Sequence, residues 1–169
     1  QFLDLGLPLV IALNLVDQAE RQKIHTDVKK LSEILGTPII PTVATLGRGL
    51  SEVMNEAVKL AKAGGFVSRQ EMRYGQDIEE PIKELAYRIA AETDELPYKL
   101  SSRAVAILLL EEDEEFTKLT NTYPWGKVAL DEARRLSSQI EKKHGESTPL
   151  RIARERHGLA GTITSLVQT

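Results

Sequence analysis

Cysteine is absent from the 169-residue sequence, which excludes disulfides, thiolate-bound zinc and thiol chemistry and is consistent with an intracellular protein. Aromatic residues make up only 5% of the chain, so aliphatic side chains must build its core. The longest apolar runs cover residues 7–13 and 104–110. Both are far shorter than the ~20 residues of a membrane-spanning helix, so we expect a soluble chain that does not itself cross a membrane.

Basic residues are also in deficit, because 25 acidic side chains outnumber 22 Lys and Arg and the formal net charge is −3. Nucleic-acid binding usually requires a basic surface, so we predict no nucleic-acid partner. The three histidines, His25, His144 and His157, are far apart in the sequence. None has the spacing of a metal-binding motif, and we predict no metal site.

The first part of the chain has the pattern of an α/β fold. Residues 8–13 form a continuous apolar run, typical of a strand buried on both faces, and residues 38–43 are a second strand candidate. Thr26 or Asp27 can cap a helix between them, and Gly49 precedes another amphipathic helix. The order strand, helix, strand, helix predicts parallel strands joined by right-handed crossovers.

The periodicity changes near residue 66, where we place a domain boundary between an α/β part (1–66) and an all-α part (67–169). Asp77 to Glu80 resemble a capping box at the start of one helix. Ser101 or Ser102 can cap a very apolar second helix, and Thr148 begins the last one. These signals predict a small helical bundle after the α/β part.

Asn14 and Asp17 follow directly after the first predicted strand. In open α/β sheets, ligands bind beyond the carboxyl ends of the strands. The Asp17 carboxylate can accept hydrogen bonds from the N1–H and the exocyclic amine of guanine, while the Asn14 amide contacts the purine edge and braces the loop. Adenine lacks this pair of donors and would leave Asp17 unpaired. Asn and Asp at such positions are also common turn residues.

A second loop follows the next strand and contains Val43, Ala44 and Thr45 before Gly47 and Gly49. Its small residues allow backbone N–H groups to approach a base oxygen, and the glycines permit positive φ angles. The alternative is an ordinary strand-to-helix loop. Because the two loops follow the carboxyl ends of adjacent predicted strands, we expect them to lie at the same edge of the sheet.

The two loops resemble the guanine-specificity motifs of GTPases. Their amino-acid sequence resembles that of the ferrous iron transport protein B (FeoB) family in particular. Residues 5–17 read LGLPLVIALNLVD, which is similar to the family phrase Leu-Gly-x-Pro-x-Val-x-x-x-Asn-x-x-Asp. Tyr74-Gly75 resembles the linker of the family, and residues 102–113 resemble its helical-domain signature. Leu15 replaces the Lys of most GTPases, as is common in this family. Val43 stands where many GTPases have Ser, which puts side-chain support of the second loop in doubt.

The resemblance implies the C-terminal half of a P-loop GTPase-type parallel α/β domain followed by the helical domain. It assigns guanine recognition to Asn14, Asp17, Val43, Ala44 and Thr45, with GTP or GDP as the ligand of the complete protein. It also implies a ferrous iron transporter at the cytoplasmic face of the cell membrane. The partners would then be an upstream half of the G domain and a downstream transmembrane domain.

The sequence contains no G-x-x-x-x-G-K-[ST] phosphate loop and no Asp-x-x-Gly after a strand. GTPases hold the phosphates, Mg²⁺ and the catalytic water with those parts. We therefore predict no catalytic residue and no Mg²⁺ ligand here, and neither hydrolysis nor tight binding of GTP by the chain alone. We also expect that residues precede Gln1, and that a homo-oligomer or swapped dimer covers the sheet face exposed by a half domain.

Two other functions fit the same patterns. The first is a soluble GTPase of the ribosome-assembly or tRNA-modification type, which would normally carry Lys at position 15 and a more basic accessory surface. The second is an inert helical interaction module that retains half of an α/β fold.

Overall fold

The computed structural model describes residues 1–63 and 73–169, which form two compact units. The helical unit contains Gln1–Gly6 and Arg73–Gly158, and the α/β unit contains Leu7–Met72 and Leu159–Thr169. The predicted fold class, α/β followed by all-α, is confirmed. The boundary predicted near residue 66 lies outside the described residues and stays a prediction.

The α/β unit is built around two short parallel strands, β1 (Ile11–Leu13) and β2 (Ile39–Pro41), paired from Ile11 opposite Ile39 to Leu13 opposite Pro41. Both are shorter than the apolar runs that predicted them, because only these residues have a partner strand in the described sheet. The helices of this unit are α1 (Val16–Arg21), α2 (Val28–Leu35) and α3 (Leu50–Lys62).

The ends of α2 follow from local sequence. The Asp27 side chain accepts a hydrogen bond from the Lys30 N–H at 2.9 Å and caps the first turn. Gly36 ends the helix in the left-handed region at φ 63°, a conformation that costs glycine little. Neither α2 nor α3 contains a buried residue, and Met54 of α3 is 64% exposed. The apolar side chains of α2 are half-buried, whereas Leu50, Met54 and Val58 leave much of the apolar face of α3 exposed.

The helical unit contains the main core of the described chain. Its helices are α4 (Gln76–Glu92), α5 (Ser102–Leu110), α6 (Glu114–Thr120), α7 (Gly126–His144) and the first part of α8 (Thr148–Val167). Ile78, Ile82, Leu85 and Ile89 recur every three or four positions on α4 and are fully buried. Across the described residues, no helix is both long and apolar enough to cross a bilayer.

The predicted capping box at Asp77 to Glu80 is wrong. Helix α4 begins at Gln76, and its N-cap residue Gly75 has no side chain that could cap it. Glu79 is buried and instead forms an ion pair with Arg103 of α5 at 2.6 Å, while accepting a hydrogen bond from the Tyr74 N–H at 3.3 Å. A buried carboxylate requires such partners, and this tertiary interaction prevails over the local motif.

The N-terminal segment of the helical unit is held by a half-buried ionic cluster. Arg156 of α8 donates to Asp4 at 2.9 Å and to both carboxylate oxygens of Glu111. The Tyr74 hydroxyl donates to the same Asp4 oxygen at 2.8 Å. Burial raises the pKa of Tyr74 well above its usual range, and the neighbouring Asp4 carboxylate raises it further. Arg156 is therefore paired with acids of its own unit.

Candidate functional site

Asn14, directly after β1, connects the two predicted recognition loops. Its side-chain oxygen accepts the Ala44 N–H at 3.0 Å and the Thr42 hydroxyl at 3.3 Å. Thr42 is 1% exposed, and its carbonyl accepts the Val16 N–H at 3.5 Å. The loop after β1 and the loop after β2 thus form one hydrogen-bonded structure, because parallel strands end at the same edge of a sheet.

Leu15 takes a left-handed backbone conformation at φ 62° and forms the N-cap position of α1. This conformation is uncommon for a non-glycine residue. It turns the chain directly from β1 into α1, so that Asp17 lies in the first turn of the helix. An acidic side chain there interacts favourably with the positive end of the helix. The sequence pattern did not predict α1, which has six residues, none of them buried.

The Asp17 carboxylate is only partly used within the described chain. Arg21 lies 3.6 Å from its Oδ2, on an exposed side chain. Its Oδ1 is shielded from solvent and has no hydrogen-bond partner among residues 1–63 and 73–169. A buried acceptor without a donor is costly. Asp17 can therefore accept hydrogen bonds from a ligand that brings N–H groups.

Val43 is almost fully buried, at 2% exposure. Its N–H donates to the Arg48 carbonyl at 3.1 Å, and its own carbonyl accepts the N–H groups of Leu46 and Arg48. Both backbone groups of Val43 thus close the loop. Val43 therefore acts as an internal anchor of this loop.

Ala44 and Thr45 are exposed in the 3₁₀ turn Ala44–Leu46. The Ala44 N–H is the group that donates to Asn14, whereas the Thr45 N–H has no partner within the described part of the chain. Gly49 allows the loop to return closely to β2, because a Cβ there would lie 2.4 Å from the Pro41 carbonyl oxygen. Its φ of 83° also favours glycine.

The structure brings Asn14 and Ala44 into direct contact, but no hydrogen bond joins Asp17 to the second loop among the described residues. Thr42 was missed by sequence reasoning. Its hydroxyl and the Asn14 amide support the second loop, so the serine that Val43 replaces is not needed for that support. A threonine at the carboxyl end of the second strand was the available signal.

Comparison with known protein families finds a matching family for both parts of the chain. Residues 1–57 match the family described as ferrous iron transport protein B, and residues 74–169 match the FeoB cytosolic helical domain. The chain belongs to the FeoB family. The resemblance found in residues 5–17 is thereby confirmed, and membership in FeoB disfavours a ribosome-assembly or tRNA-modification GTPase.

The matches to two bacterial FeoB relatives cover most of this chain. The Fe(2+) transport protein A/Fe(2+) transporter FeoB fusion protein of Porphyromonas gingivalis is 35% identical over 131 residues, 77% of this chain and 15% of that protein. The Fe(2+) transporter FeoB of Staphylococcus aureus is 32% identical over 143 residues, 85% of this chain and 20% of that protein. The chain thus spans a fifth or less of the length of these two relatives.

Solved FeoB structures share the fold. A GDP-bound mutant of the S. thermophilus FeoB G-domain has a TM-score of 0.80 at 21% identity, covering 99% of this chain and 61% of that one. The cytosolic domain of L. pneumophila FeoB has a TM-score of 0.72 at 20% identity, covering 99% and 59%. At this identity the likeness establishes the fold of the FeoB-family chain, and the roles of its residues rest on its own geometry.

The described residues contain no group of three or more His, Cys, Asp or Glu side chains arranged to hold a metal ion. The sequence has no phosphate loop and no Asp-x-x-Gly motif, so the residues present do not fit the Mg²⁺ and phosphate site of a GTPase. What the site offers a ligand is hydrogen bonding, through the shielded Asp17 carboxylate oxygen and the exposed backbone of the second loop.

Proposed function

We propose that the loops around Asn14 and Ala44 recognise guanine in the G domain of a GTP-dependent ferrous iron transporter. The observation that carries this proposal is the shielded Oδ1 of Asp17, which has no donor among the described residues. It lies in the first turn of α1, beside a loop that Asn14 organises. Under this proposal, residues 1–66 belong to the G domain and residues 67–169 to the helical domain.

The base is selected by matching donors to acceptors. The Asp17 carboxylate accepts the N1–H and the exocyclic amine of guanine, and adenine does not offer this pair of donors. The exposed Thr45 N–H is available to donate to the guanine O6, whereas the Ala44 N–H reaches O6 only by leaving Asn14. Val43 supports the loop from inside. Asn14 contributes mainly by fixing the second loop and presents its amide nitrogen to the purine.

The chain would supply recognition and coupling, with catalysis supplied elsewhere. GDP or GTP binds in the complete G domain, and Mg²⁺ is held by residues outside this sequence. An upstream half of the G domain covers the exposed apolar face of α3, including Met54. The helical domain relays the nucleotide state to a transmembrane partner at the cytoplasmic face of the membrane. A homo-oligomer or swapped dimer of the chain stays a prediction.

Calorimetry with GDP tests whether tight nucleotide binding depends on parts of the G domain outside this chain. The 169-residue chain lacks the phosphate-binding parts that dominate nucleotide affinity, so we expect no binding at micromolar concentrations and no GTP hydrolysis. Binding of GDP with micromolar affinity would contradict this assignment. It would mean that the base site alone supplies most of the affinity.

Base selectivity tests the role of Asp17. In the complete G domain, Asp17→Asn should shift the preference from guanine towards xanthine nucleotides, because xanthine offers a carbonyl where guanine offers an amine. The matched control is Asp27→Asn, which changes an aspartate that caps α2 and should leave selectivity unchanged. Unchanged selectivity in Asp17→Asn would refute the assignment and would favour an inert interaction module.

A further inference from the structure

The end of the chain is paired with the α/β unit by main-chain hydrogen bonds. The His25 N–H donates to the Thr169 carbonyl at 2.8 Å, and the Thr169 N–H returns a bond to the His25 carbonyl at 3.0 Å. The Asp27 N–H donates to the Val167 carbonyl at 2.8 Å. These bonds place Thr26 opposite Gln168 in an antiparallel bridge. Val167, which leads into the bridge, is 5% exposed.

This bridge lies next to the helix that carries Asp17. Helix α1 is too short to be stable by itself, since it has six residues and buries none of them. Its first residue is held by the Val16 bond to the second loop, and its end is closed by the Ile24 N–H, which donates to the Ala19 carbonyl at 2.9 Å. The residue after Ile24 is His25, the first member of the bridge.

We propose that His25–Asp27 is a strand-addition site occupied by Val167–Thr169, and that its occupation holds α1 and its Asp17 in place. Recognition is through backbone groups, as in β-augmentation, by the residues at the end of α8: Val167 is its last helical residue, and Gln168 and Thr169 continue into the bridge. The C-terminal end of α8 and the two residues after it would then be coupled to guanine recognition directly through α1. The consequence for guanine rests on the proposed function, whereas the bridge and its effect on α1 do not.

Hydrogen exchange on the 169-residue chain, without nucleotide, tests both parts. Thr169→Pro removes the N–H that donates to His25, and Thr169→Ala keeps it. In Thr169→Pro we expect the His25 and Asp27 amides to exchange roughly tenfold faster, as the loss of about one hydrogen bond implies. The Gln22 and Ile24 amides, whose hydrogen bonds close the end of α1, should also exchange faster. Thr169→Ala should exchange as the parent chain does.

Two results would overturn the proposal. If His25 and Asp27 are unprotected in the parent chain, the strand-addition site does not exist. If they lose protection in Thr169→Pro while Gln22 and Ile24 keep theirs, the bridge does not hold α1. Failure of guanine recognition would affect neither result, because no nucleotide is present.

A disulfide provides an independent test in a chain without cysteine. Thr26 and Gln168 face each other as a pair that is not itself hydrogen-bonded, the spacing at which two Cβ atoms approach most closely and a disulfide fits. Thr26→Cys with Gln168→Cys should oxidise to an intramolecular disulfide. The control, Thr26→Cys with Thr169→Cys, places the thiols on opposite faces and should oxidise much more slowly. Equal rates would contradict the proposed register.

Discussion

The side-chain oxygen of Asn14 and the backbone N–H of Ala44 are joined by a hydrogen bond of 3.0 Å that connects the loops after the two strands. Asn14 thereby braces the second loop from within the protein itself. Under the proposed guanine recognition, Asn14 would act on the protein before it acts on the base.

Replacing Asn14 by alanine tests this structural role. Asn14→Ala leaves the Ala44 N–H and the buried Thr42 hydroxyl without their acceptor, which should lower the free energy of unfolding by about 1–3 kcal/mol. Urea denaturation followed by circular dichroism measures it. Thr45→Ala truncates an exposed side chain of the same loop and should stay within about 0.5 kcal/mol of the parent. Equal effects of the two changes would contradict a bracing role for Asn14.

Leu15 is strained by its left-handed conformation at φ 62°. Asparagine occupies that region more readily than leucine, so Leu15→Asn should raise the free energy of unfolding by about 0.5–1 kcal/mol. Leu46→Asn is the matched control, because Leu46 is also exposed but is not among the positive-φ residues. A gain of stability in Leu46→Asn equal to that in Leu15→Asn would attribute the effect to polarity alone.

The titration of Tyr74 should reveal its burial. The folded state binds the phenolic proton more tightly than the unfolded chain, so stability should fall as the pH rises above about 10. At pH 11, the phenolate absorbance of the folded protein should be the same for the parent and Tyr74→Phe, because the Tyr74 phenol stays protonated and does not contribute to it. In urea, Tyr74→Phe should lose one of four phenolate signals. A lower phenolate absorbance in folded Tyr74→Phe than in the folded parent would show that Tyr74 is accessible and ionised.

The ionic cluster around Arg156 should contribute strongly to stability. Arg156→Ala would leave Glu111, 14% exposed, without its cation, and Asp4, 6% exposed, with only the N-terminal ammonium and the Tyr74 hydroxyl. Removal of one partner from a half-buried, hydrogen-bonded ionic cluster costs about 2 kcal/mol, and thermal and urea unfolding should both detect the loss. Arg154→Ala is the control. Arg154 is 63% exposed in its pair with Glu146, and its loss should cost about 1 kcal/mol or less. Equal losses would contradict the cluster.

Local signals in the sequence predicted local structure well. Asp27 caps α2 and Gly36 ends it, because each needs only its neighbours along the chain. Ser101 caps α5 for the same reason, with its hydroxyl 3.1 Å from the Ala104 N–H. The capping box failed because Glu79 has a stronger partner, Arg103, that is distant in sequence. Helix α1 was missed because it buries nothing and so leaves no apolar period.

The sequence by itself determined the two strands, the longer helices, the family and the two loops, because periodicity, caps and motifs are carried by residues close together in the chain. Tertiary structure decided how those loops are used. Thr42 and Asn14 meet only after β1 and β2 pair. The bridge from Val167 to Thr169 depends likewise on residues more than a hundred positions away. Hydrogen bonds between distant segments leave no period in the sequence, and packing alone selects them.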